Sequence, residues 1–518
     1  MKSPVCIIVR DGWGINEKEE GNAVLAANTT NCDSYKKKYP HSVLKASGEA
    51  VGLPAGFQGS SEVGHLNMGA GRIVVQEMKR VFDGINQGTI FKSDKWEKLI
   101  SDWKKNESKL HLLGLLQDQG VHAHQDHLFT IMREARKEYP DGEIVIHPFL
   151  DGRDTPPKSS ETFIKDLQKV MDEVGNCKVG TAMGRFYGMD RSENWDITDK
   201  AFNCIVNAKG RQADDLLEAV KRSYKNDKTP DNVDMFDEYI PPHVFGDYDG
   251  VQAGDCVFHT NYRQDRAIQL TKAFVEPNYP GDPERRPDVT YLGLTQYYDE
   301  FDQCLIESMT SGGGMDKLLG EVVSDEGLKQ LRIAETQKFR HVTSFFNGKK
   351  TTPYENEDQV EIKSDIDPSA YASQPQMEAY KVTEEVLKRM EDNPYDLIVI
   401  NFANGDMVGH TGDFEAAKQA IEVVDECVGK VVDRVLELDG HVLVTADHGN
   451  SEQMVDYESG EPKTAHTTFP VECFYISKEA PKVKMKEEGK LADIATTALK
   501  LLDIAIPKEM TADVLLEE

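Results

Sequence analysis

The sequence predicts an α/β protein in which one α/β domain is inserted into another. Apolar segments rich in β-branched residues alternate with helical stretches, which is the pattern of parallel sheets covered by helices. One series opens with PVCIIVRDGWG, a middle series contains KLHLLGLLQ, EIVIHPFLDG and DCVFHTNYR, and a third runs from GLKQLRIAE through YDLIVINFA to HVLVTADHG. Candidate metal ligands occur both before and after the middle series, so the middle series is predicted to interrupt a domain that contains both chain ends.

We place the domain boundaries after residues 76 and 312. This gives a metal-binding domain of residues 1–76 plus 313–518 and an inserted substrate-binding domain of residues 77–312. The run Ser311-Gly312-Gly313-Gly314 is a flexible stretch suited to a hinge. Two other segments are predicted to lack regular structure: the glycine-dense GFQGSSEVGHLNMGAGR, and the acidic PYENEDQVEIKSDID, which we interpret as an exposed loop.

The composition argues against several classes of partner. The chain has 518 residues, with 90 acidic and 60 basic residues and a net charge of −30. Such a charge disfavours general affinity for nucleic acid or for an anionic membrane. The longest apolar runs are strand-sized, and the N-terminus lacks the pattern of a secretory signal. We therefore expect a cytoplasmic protein, and a monomer, that acts on a small molecule. The eight cysteines lack CxxC spacing and are expected to be reduced thiols of the core.

Six metal-binding side chains lie in three short blocks and one isolated position. They are Asp11, Asp406 with His410, Asp447 with His448, and His466. Each block follows an apolar run that resembles a buried strand, and the carboxyl ends of parallel strands meet at one edge of a sheet. Carboxylate and imidazole ligands without thiolate favour Mn²⁺ first, with Zn²⁺ possible and Mg²⁺ disfavoured. One block alone would be ordinary turn chemistry, but three blocks at three strand ends predict two divalent cations.

Ser61 is the candidate nucleophile. It lies among glycines that allow the backbone to approach a ligand closely. A serine hydroxyl is unreactive near neutral pH unless a base or a metal activates it, and the predicted metal site could do this without a Ser-His-Asp triad. The alternative is a Gly/Ser surface loop without chemistry, which would be the better interpretation if no metal site accompanied it.

A set of cationic side chains follows the strands of the middle series. In so acidic a protein, arginines at successive strand ends indicate recognition of a small, multiply charged anion, because guanidinium groups pair bidentately with phosphate and carboxylate. Any one of them alone would be interpreted as a solvated surface residue. Lys338 follows the first strand of the third series and could add positive charge near the metals. The candidate substrate residues are His122, Arg153, Asp154, Arg185, Arg191, Arg263, Arg266 and Lys338.

With these residues in place, the chain resembles the cofactor-independent phosphoglycerate mutases of the alkaline-phosphatase-like superfamily, over essentially its whole length. The motifs that carry the resemblance are DGWG, SEVGHLNMGAGR, GLLQDQGVHAHQDHL, DGRDTPP, GRFYGMDR, NYRQDRA, GLKQLRIAETQKFRHVT, NFANGDMVGHTG, TADHGN and AHTT. Departures from the family pattern are Arg10 before DGWG, Ser60 before Ser61, FPVECFY after AHTT, and SMTSGGGM near the second boundary. None of them removes a candidate ligand or the nucleophile.

The resemblance implies an alkaline-phosphatase-like doubly wound domain with two Mn²⁺ and an inserted domain that holds phosphoglycerate. One metal would be bound by Asp406, His410 and His466, and the other by Asp11, Ser61, Asp447 and His448. The implied reaction interconverts 3-phosphoglycerate and 2-phosphoglycerate through phosphoserine on Ser61, without 2,3-bisphosphoglycerate. Ser61, Asp154 and Lys338 would be catalytic, with Asp154 carrying a proton between the glycerate oxygens.

Four alternatives to a mutase of this kind remain. The metal residues alone would also serve a metal-dependent phosphomonoesterase or another sugar-phosphate mutase. A sulfatase is less favoured, since the sequence contains no Cys-x-Pro-x-Arg segment that could generate its modified nucleophile. A non-catalytic binding protein would not need Ser61 together with all six metal-binding Asp and His residues.

Overall fold

The computed structural model of the chain describes residues 3–307, 315–392 and 395–517. It divides into two compact units, the first made of Met1–Gln76 and Gly313–Glu518 and the second of Glu77–Gly312. The proposed hinge at residues 311–314 lies outside the described residues. The separate roles assigned to the two parts of the chain stay a prediction at this point.

Strands and helices alternate along the described residues. The strands are β1 (Val5–Arg10), β2 (His41–Lys45), β3 (Lys109–Leu116), β4 (Glu143–Leu150), β5 (Cys177–Val179), β6 (Thr181–Gly184), β7 (Arg211–Ala213), β8 (His243–Phe245), β9 (Cys256–His259), β10 (Thr290–Thr295), β11 (Cys304–Ile306), β12 (Gln330–Glu335), β13 (Glu357–Ile362), β14 (Leu397–Phe402), β15 (His441–Thr445), β16 (Val471–Ile476) and β17 (Glu488–Lys490). The helices are α1 (Ala23–Ala26), α2 (Thr30–Lys38), α3 (Ser61–Ala70), α4 (Glu77–Asn86), α5 (Asp94–Asn106), α6 (Gln125–Glu138), α7 (Ser160–Val174), α8 (Arg185–Gly188), α9 (Trp195–Asn207), α10 (Leu216–Asn226), α11 (Ile268–Val275), α12 (Leu319–Asp325), α13 (Ala379–Asp392), α14 (Asn404–Gly409), α15 (Phe414–Glu437) and α16 (Asp493–Leu501).

The first unit is built on a sheet with the strand order β13-β12-β14-β1-β15-β16-β2-β17. Strands β13, β12, β14, β1 and β15 run parallel, and β16 is antiparallel to both β15 and β2. In the central register, Val9 of β1 pairs with Asn401 of β14 on one side and with Thr445 of β15 on the other. The segments that carry Asp11, Asp406 and Asp447 therefore leave the sheet at the same edge.

The second unit has its own sheet, with the strand order β11-β10-β9-β3-β4-β6-β8-β7 and with β5 paired to β4. Its central strands β10, β9, β3 and β4 are parallel. Adjacent residues of β3 belong to different apolar clusters, Leu112 to one with Trp96 and Leu113 to one with Phe202. Because successive side chains point to opposite faces of a strand, the sheet has a helix-covered core on each face.

Both units are thus α/β, and the predicted fold class is confirmed. Strand β1 is fully buried from Val5 to Val9, as expected for a central parallel strand. All eight cysteines are free, and Cys177 alone among them is only half-buried. No helix within the described ranges has the length and hydropathy needed to span a bilayer.

The prediction that the glycine-dense segment lacks regular structure is wrong. Residues Ser61–Ala70 form helix α3, and the Ser60 side chain caps it by accepting a hydrogen bond from the Val63 amide. The glycines are needed for close packing. A Cβ on Gly69 would lie 1.9 Å from the Phe346 carbonyl oxygen, and one on Gly64 would lie 2.8 Å from the Asp447 Cβ.

The acidic segment after Tyr354 also contains regular structure, contrary to the prediction of an exposed loop. Its residues Glu357–Ile362 form β13, which pairs in parallel with β12 at the sheet edge. The segment was interpreted as a loop because this half-exposed edge strand carries many charged side chains. Charged side chains on an edge strand also discourage pairing with other chains.

We predict that Gly69→Ala destabilises the first unit although alanine is the better helix former. The overpacked Cβ should lower the free energy of unfolding by about 1–3 kcal/mol, measured by urea denaturation. Glu62→Ala, on a half-buried part of the same helix, is the matched control and should change it by less than about 0.5 kcal/mol. A stabilised Gly69→Ala protein would contradict the packing explanation, since helix propensity alone favours alanine by about 1 kcal/mol.

Candidate active site

All six predicted metal-binding Asp and His residues lie together in the first unit. The Nε2 atom of His448 lies 3.5 Å from Asp11 Oδ1, 3.6 Å from Asp447 Oδ2 and 3.9 Å from Asp406 Oδ1. The Nε2 atoms of His410 and His466 lie 3.2 and 3.1 Å from the same Asp406 oxygen. The sheet edge thus unites residues that are up to 455 positions apart in the chain.

The donor set fits divalent cations. Within the described residues, Asp406, His448 and His466 form one group whose potential ligand atoms lie within 4.8 Å of one another, and Asp11, Asp447 and His448 form another. The Nε2 atoms of His410 and His466 face each other at 3.1 Å, which places two ring nitrogens beside one carboxylate oxygen. Imidazole nitrogens and carboxylates converging in this way are the ligands that Mn²⁺ and Zn²⁺ prefer. His448 belongs to both groups.

Ser61 lies at the same place, as the first residue of α3. Its Oγ is 3.2 Å from Asp11 Oδ1, 2.9 Å from His448 Nε2 and 2.5 Å from the Nζ of Lys338. The side chain is buried. A helix N-terminus presents unpaired amide groups and the positive end of the helix dipole, so a phosphoryl group at Ser61 would be favoured there.

Lys338 is the central cation of this cluster. Its Nζ lies 2.7 Å from Asp11 Oδ1 and 2.7 Å from Asp406 Oδ2. Burial by itself would lower the pKa of Lys338, but the carboxylates of Asp11, Asp406 and Asp447 outweigh it and raise the pKa above its ordinary value. The ammonium group is therefore a fixed positive charge beside the Ser61 hydroxyl.

Glu452, which the sequence analysis did not single out, joins the segments that carry the ligands. Its buried carboxylate accepts hydrogen bonds from the Gly14 amide at 3.0 Å, from the Asn450 amide at 2.8 Å and from the Thr467 hydroxyl. These partners follow Asp11, His448 and His466 in the chain. Its sequence context, GNSEQ, gave no signal, because a glutamate in a turn-rich segment is ordinary surface chemistry.

The second unit contains the other predicted site residues, and ion pairs connect most of them. The Nη1 atom of buried Arg185 lies 2.5 Å from Asp151 Oδ1 and 2.6 Å from Asp154 Oδ2. His122 lies 4.0 Å from Asp154 and 3.5 Å from Asp265. Asp151 and Asp265 were missed, although both lie in motifs that were noted for their arginines.

The remaining arginines extend this cluster. Asp265 pairs with Arg191 at 2.7 Å and with Arg263 at 3.2 Å. Arg153 pairs with Glu238 at 3.1 Å, a third carboxylate that the sequence analysis missed because it lies 85 positions away. Arg266 donates to the Met189 carbonyl at 2.9 Å.

Burial and neighbouring positive charges lower the pKa values of two residues in this cluster. Burial, together with the charges of Arg185, Arg191 and Arg153, lowers the pKa of Arg266 to about 10. Burial and the charges of Arg185 and Arg263 lower the pKa of His122 to about 3, so its ring is neutral near pH 7. A phosphate or carboxylate bound beside Arg266 would add a negative charge that offsets the neighbouring guanidinium groups.

We predict that Glu452→Gln weakens the first unit although the two side chains have the same shape. The glutamine amide nitrogen could still donate to the Thr467 hydroxyl, but the amide oxygen lacks the charge that strengthens the hydrogen bonds from the Gly14 and Asn450 amides. The free energy of unfolding should therefore fall by about 1–2 kcal/mol. Glu458→Gln, an exposed change in the same segment, is the control. Equal thermal unfolding profiles for the two variants would show that the buried carboxylate does not hold these segments together.

Comparison with known proteins places the chain in a family. A model of the Metalloenzyme superfamily matches residues 3–506. A curated protein of Clostridium botulinum (strain ATCC 19397 / Type A), named 2,3-bisphosphoglycerate-independent phosphoglycerate mutase, is 46% identical over 520 residues and covers 100% of both chains. A protein of the same name from Clostridium perfringens (strain SM101 / Type A) is 45% identical over 522 residues, again with 100% coverage of both.

A solved structure agrees with these relatives. The crystal structure of Leishmania mexicana phosphoglycerate mutase at low cobalt concentration superimposes with a TM-score of 0.74 and 31% identity, covering 100% of this chain and 98% of the other. The resemblance inferred from the motifs is therefore confirmed: the chain belongs to the family of 2,3-bisphosphoglycerate-independent phosphoglycerate mutases, which are metal-dependent isomerases.

Proposed function

We propose that this chain interconverts 3-phosphoglycerate and 2-phosphoglycerate in glycolysis and gluconeogenesis, through a phosphoserine intermediate on Ser61 and without 2,3-bisphosphoglycerate. The observation that carries the proposal is the position of the Ser61 hydroxyl, in contact with Asp11, His448 and Lys338 at the start of a helix. The names of relatives that align along the full chain support the same reaction.

Two Mn²⁺ ions are the proposed cofactors, with Zn²⁺ or another divalent ion as the alternative. Asp406, His410 and His466 would hold one ion, and Asp11, Ser61, Asp447 and His448 would hold the other. When bound, such ions supply positive charge that lowers the pKa of a serine hydroxyl and offsets charge on phosphoryl oxygens. The convergence of these side chains within one sheet edge supports the assignment.

In the first half-reaction, Ser61 Oγ attacks the phosphorus of 3-phosphoglycerate. The Oγ–P bond forms as the serine proton passes to Asp11 Oδ1, which accepts the hydrogen bond of the hydroxyl. The bond from phosphorus to the 3-oxygen breaks as Asp154 donates a proton to that oxygen. Lys338 stabilises the negative charge of the transferring group, because its ammonium lies 2.5 Å from the attacking oxygen.

In the second half-reaction, the 2-hydroxyl of the retained glycerate attacks the phosphoserine. Asp154 accepts the proton of that hydroxyl and the new P–O bond forms. The bond from phosphorus to Ser61 Oγ breaks, and Asp11 returns the proton to that oxygen. The residues proposed to bind the substrate are His122, Arg153, Asp154, Arg185, Arg191, Arg263, Arg266 and Lys338. The glycerate carboxylate must stay bound by the arginines throughout, since its loss would leave phosphoserine to hydrolysis.

The same site could support a phosphomonoesterase or a mutase for a different sugar phosphate. The arginine cluster favours a substrate with both a phosphate and a carboxylate, because several guanidinium groups lie close together around Arg266. We further propose that the chain works as a cytoplasmic monomer. Its net charge of −30 supports the absence of nucleic acid and anionic membrane partners.

We predict that Ser61→Ala abolishes mutase turnover while the protein retains most of its bound metal. The purified protein is incubated with 3-phosphoglycerate and Mn²⁺, without 2,3-bisphosphoglycerate, and 2-phosphoglycerate and free phosphate are measured. Ser60→Asn is the matched control, since asparagine also caps helices and the change leaves Ser61 in place. Residual mutase activity of Ser61→Ala would exclude the phosphoserine step. Release of phosphate without isomer by the unaltered chain would favour the phosphomonoesterase.

We predict that Asp154→Asn lowers kcat by about 10²–10⁴-fold, because a side chain that cannot exchange a proton replaces the proposed proton carrier. KM should not rise, since the amide keeps the shape of the carboxylate and competes less than a carboxylate for Arg185. Asp126→Asn, an exposed change in the same unit, serves as control and should have unaltered kinetics. A normal kcat for Asp154→Asn would assign the proton transfer to another group.

A further inference from the structure

We propose that Asn401 and His65 are positioning residues that orient the carboxylates of Asp11 and Asp447 toward the cation proposed beside Ser61. The inference rests on the proposed function, because it concerns the same cation site. Both residues lie inside motifs of the sequence, NFANGD and SEVGHLN, but neither has a role in the mechanism described above. Both side chains are fully buried.

The Asn401 amide fixes one oxygen of Asp11. Asn401 lies in β14, directly between Val9 of β1 and Ala334 of β12. Its Nδ2 lies 2.7 Å from Asp11 Oδ2, whereas the other oxygen, Oδ1, contacts Ser61 and Lys338. A carboxylate held through one oxygen presents the other in a defined direction, so Asn401 sets the orientation of the oxygen that faces the nucleophile.

His65 links the same amide to Asp447 and to the backbone of Ser61. Its Nε2 lies 3.1 Å from Asn401 Nδ2, and its Nδ1 lies 2.8 Å from the Ser61 carbonyl oxygen and 3.4 Å from Asp447 Oδ2. His65 is one helical turn after Ser61 in α3. The ring therefore contacts the backbone of the nucleophile and one proposed ligand at the same time.

The hydrogen-bond partners determine the tautomer of His65. If the Asn401 amide were reversed, its carbonyl oxygen would face the Asp11 carboxylate without a proton between them, so the nitrogen must point to Asp11. The second amide hydrogen then points to His65 Nε2, which must accept. The ring proton is left on Nδ1, where both neighbours, the Ser61 carbonyl and Asp447 Oδ2, are acceptors. A proton on Nδ1 and an acceptor at Nε2 fit the contacts of His65 with Ser61 and Asn401.

This arrangement has the form of an outer shell around a metal site. Partners that orient ligand carboxylates typically change metal affinity or activity by about 10–100-fold when they are removed. If the two residues only packed the core, their replacement would lower stability but would not weaken metal binding at one site more than at the other.

The test is a calorimetric titration of metal-free protein with Mn²⁺. Asn401→Leu keeps nearly the same volume but lacks the donor, and His65→Phe keeps a ring without nitrogens. Each should weaken Mn²⁺ binding at one of the two sites by about 10–100-fold and leave the other site unchanged. His65→Gln retains an acceptor for Asn401 at the position of Nε2, so it should recover part of the lost affinity and show that the protein folds.

Asn67→Leu is the matched control. Asn67 lies in the same helix and is equally buried, but it bonds to the Val51 and Val63 carbonyls and to the Val74 amide rather than to a carboxylate. It should lower the melting temperature and keep the affinity of the unaltered chain for Mn²⁺. Unchanged Mn²⁺ binding in folded Asn401→Leu and His65→Gln proteins would overturn the positioning role but would leave the proposed cation site standing. Absence of Mn²⁺ binding by the unaltered chain would overturn both it and the proposed cation site.

Discussion

The burial of three carboxylates at one sheet edge is the constraint on which the first unit depends. Asp11, Asp406 and Asp447 are almost completely removed from solvent, and burying such charges without partners would be costly. The register of β14, β1 and β15 makes this proximity unavoidable, since adjacent parallel strands end together. Lys338 offsets part of the negative charge. Divalent cations would offset the remaining negative charge, so the burial that costs stability also serves the proposed chemistry.

Packing and polar contacts fix helix α3 and the segments that carry the ligands around this cluster. Gly64 allows helix α3 to approach Asp447, so that Ser61 at its first turn lies among the ligands. Glu452 connects the segments after Asp11, His448 and His466 through donors of the backbone and of Thr467. Preorganisation of this kind matters for phosphoryl transfer, because positioning and charge stabilisation supply most of the catalysis.

The sequence was sufficient to predict the fold class and to select residues that lie together, because ligands at the ends of parallel strands obey a simple topological rule. Helix α3 was missed since its glycines resemble a loop, whereas the reason for them is contact with Phe346 and Asp447, which no local pattern contains. Asp151 and Asp265 were missed for a related reason. Their importance comes from arginines that are brought to them by the fold, and an aspartate at a strand end is otherwise ordinary turn chemistry.

The contacts of Arg185 connect substrate binding with the proposed proton transfer. Its guanidinium pairs with both Asp151 and Asp154. Asp151 also accepts hydrogen bonds from the backbone amides of Asp154 and Thr155. Asp151 is therefore fixed by the loop, whereas Asp154 is fixed mainly by Arg185. A substrate oxygen that bonds to Arg185 would replace Asp154 and leave Asp151 in place, so the buried guanidinium would not become uncompensated. Asp154 would then be released from its cation at the moment when glycerate arrives. A carboxylate released from its ion pair is free to contact the glycerate oxygens, which the proposed proton transfer requires.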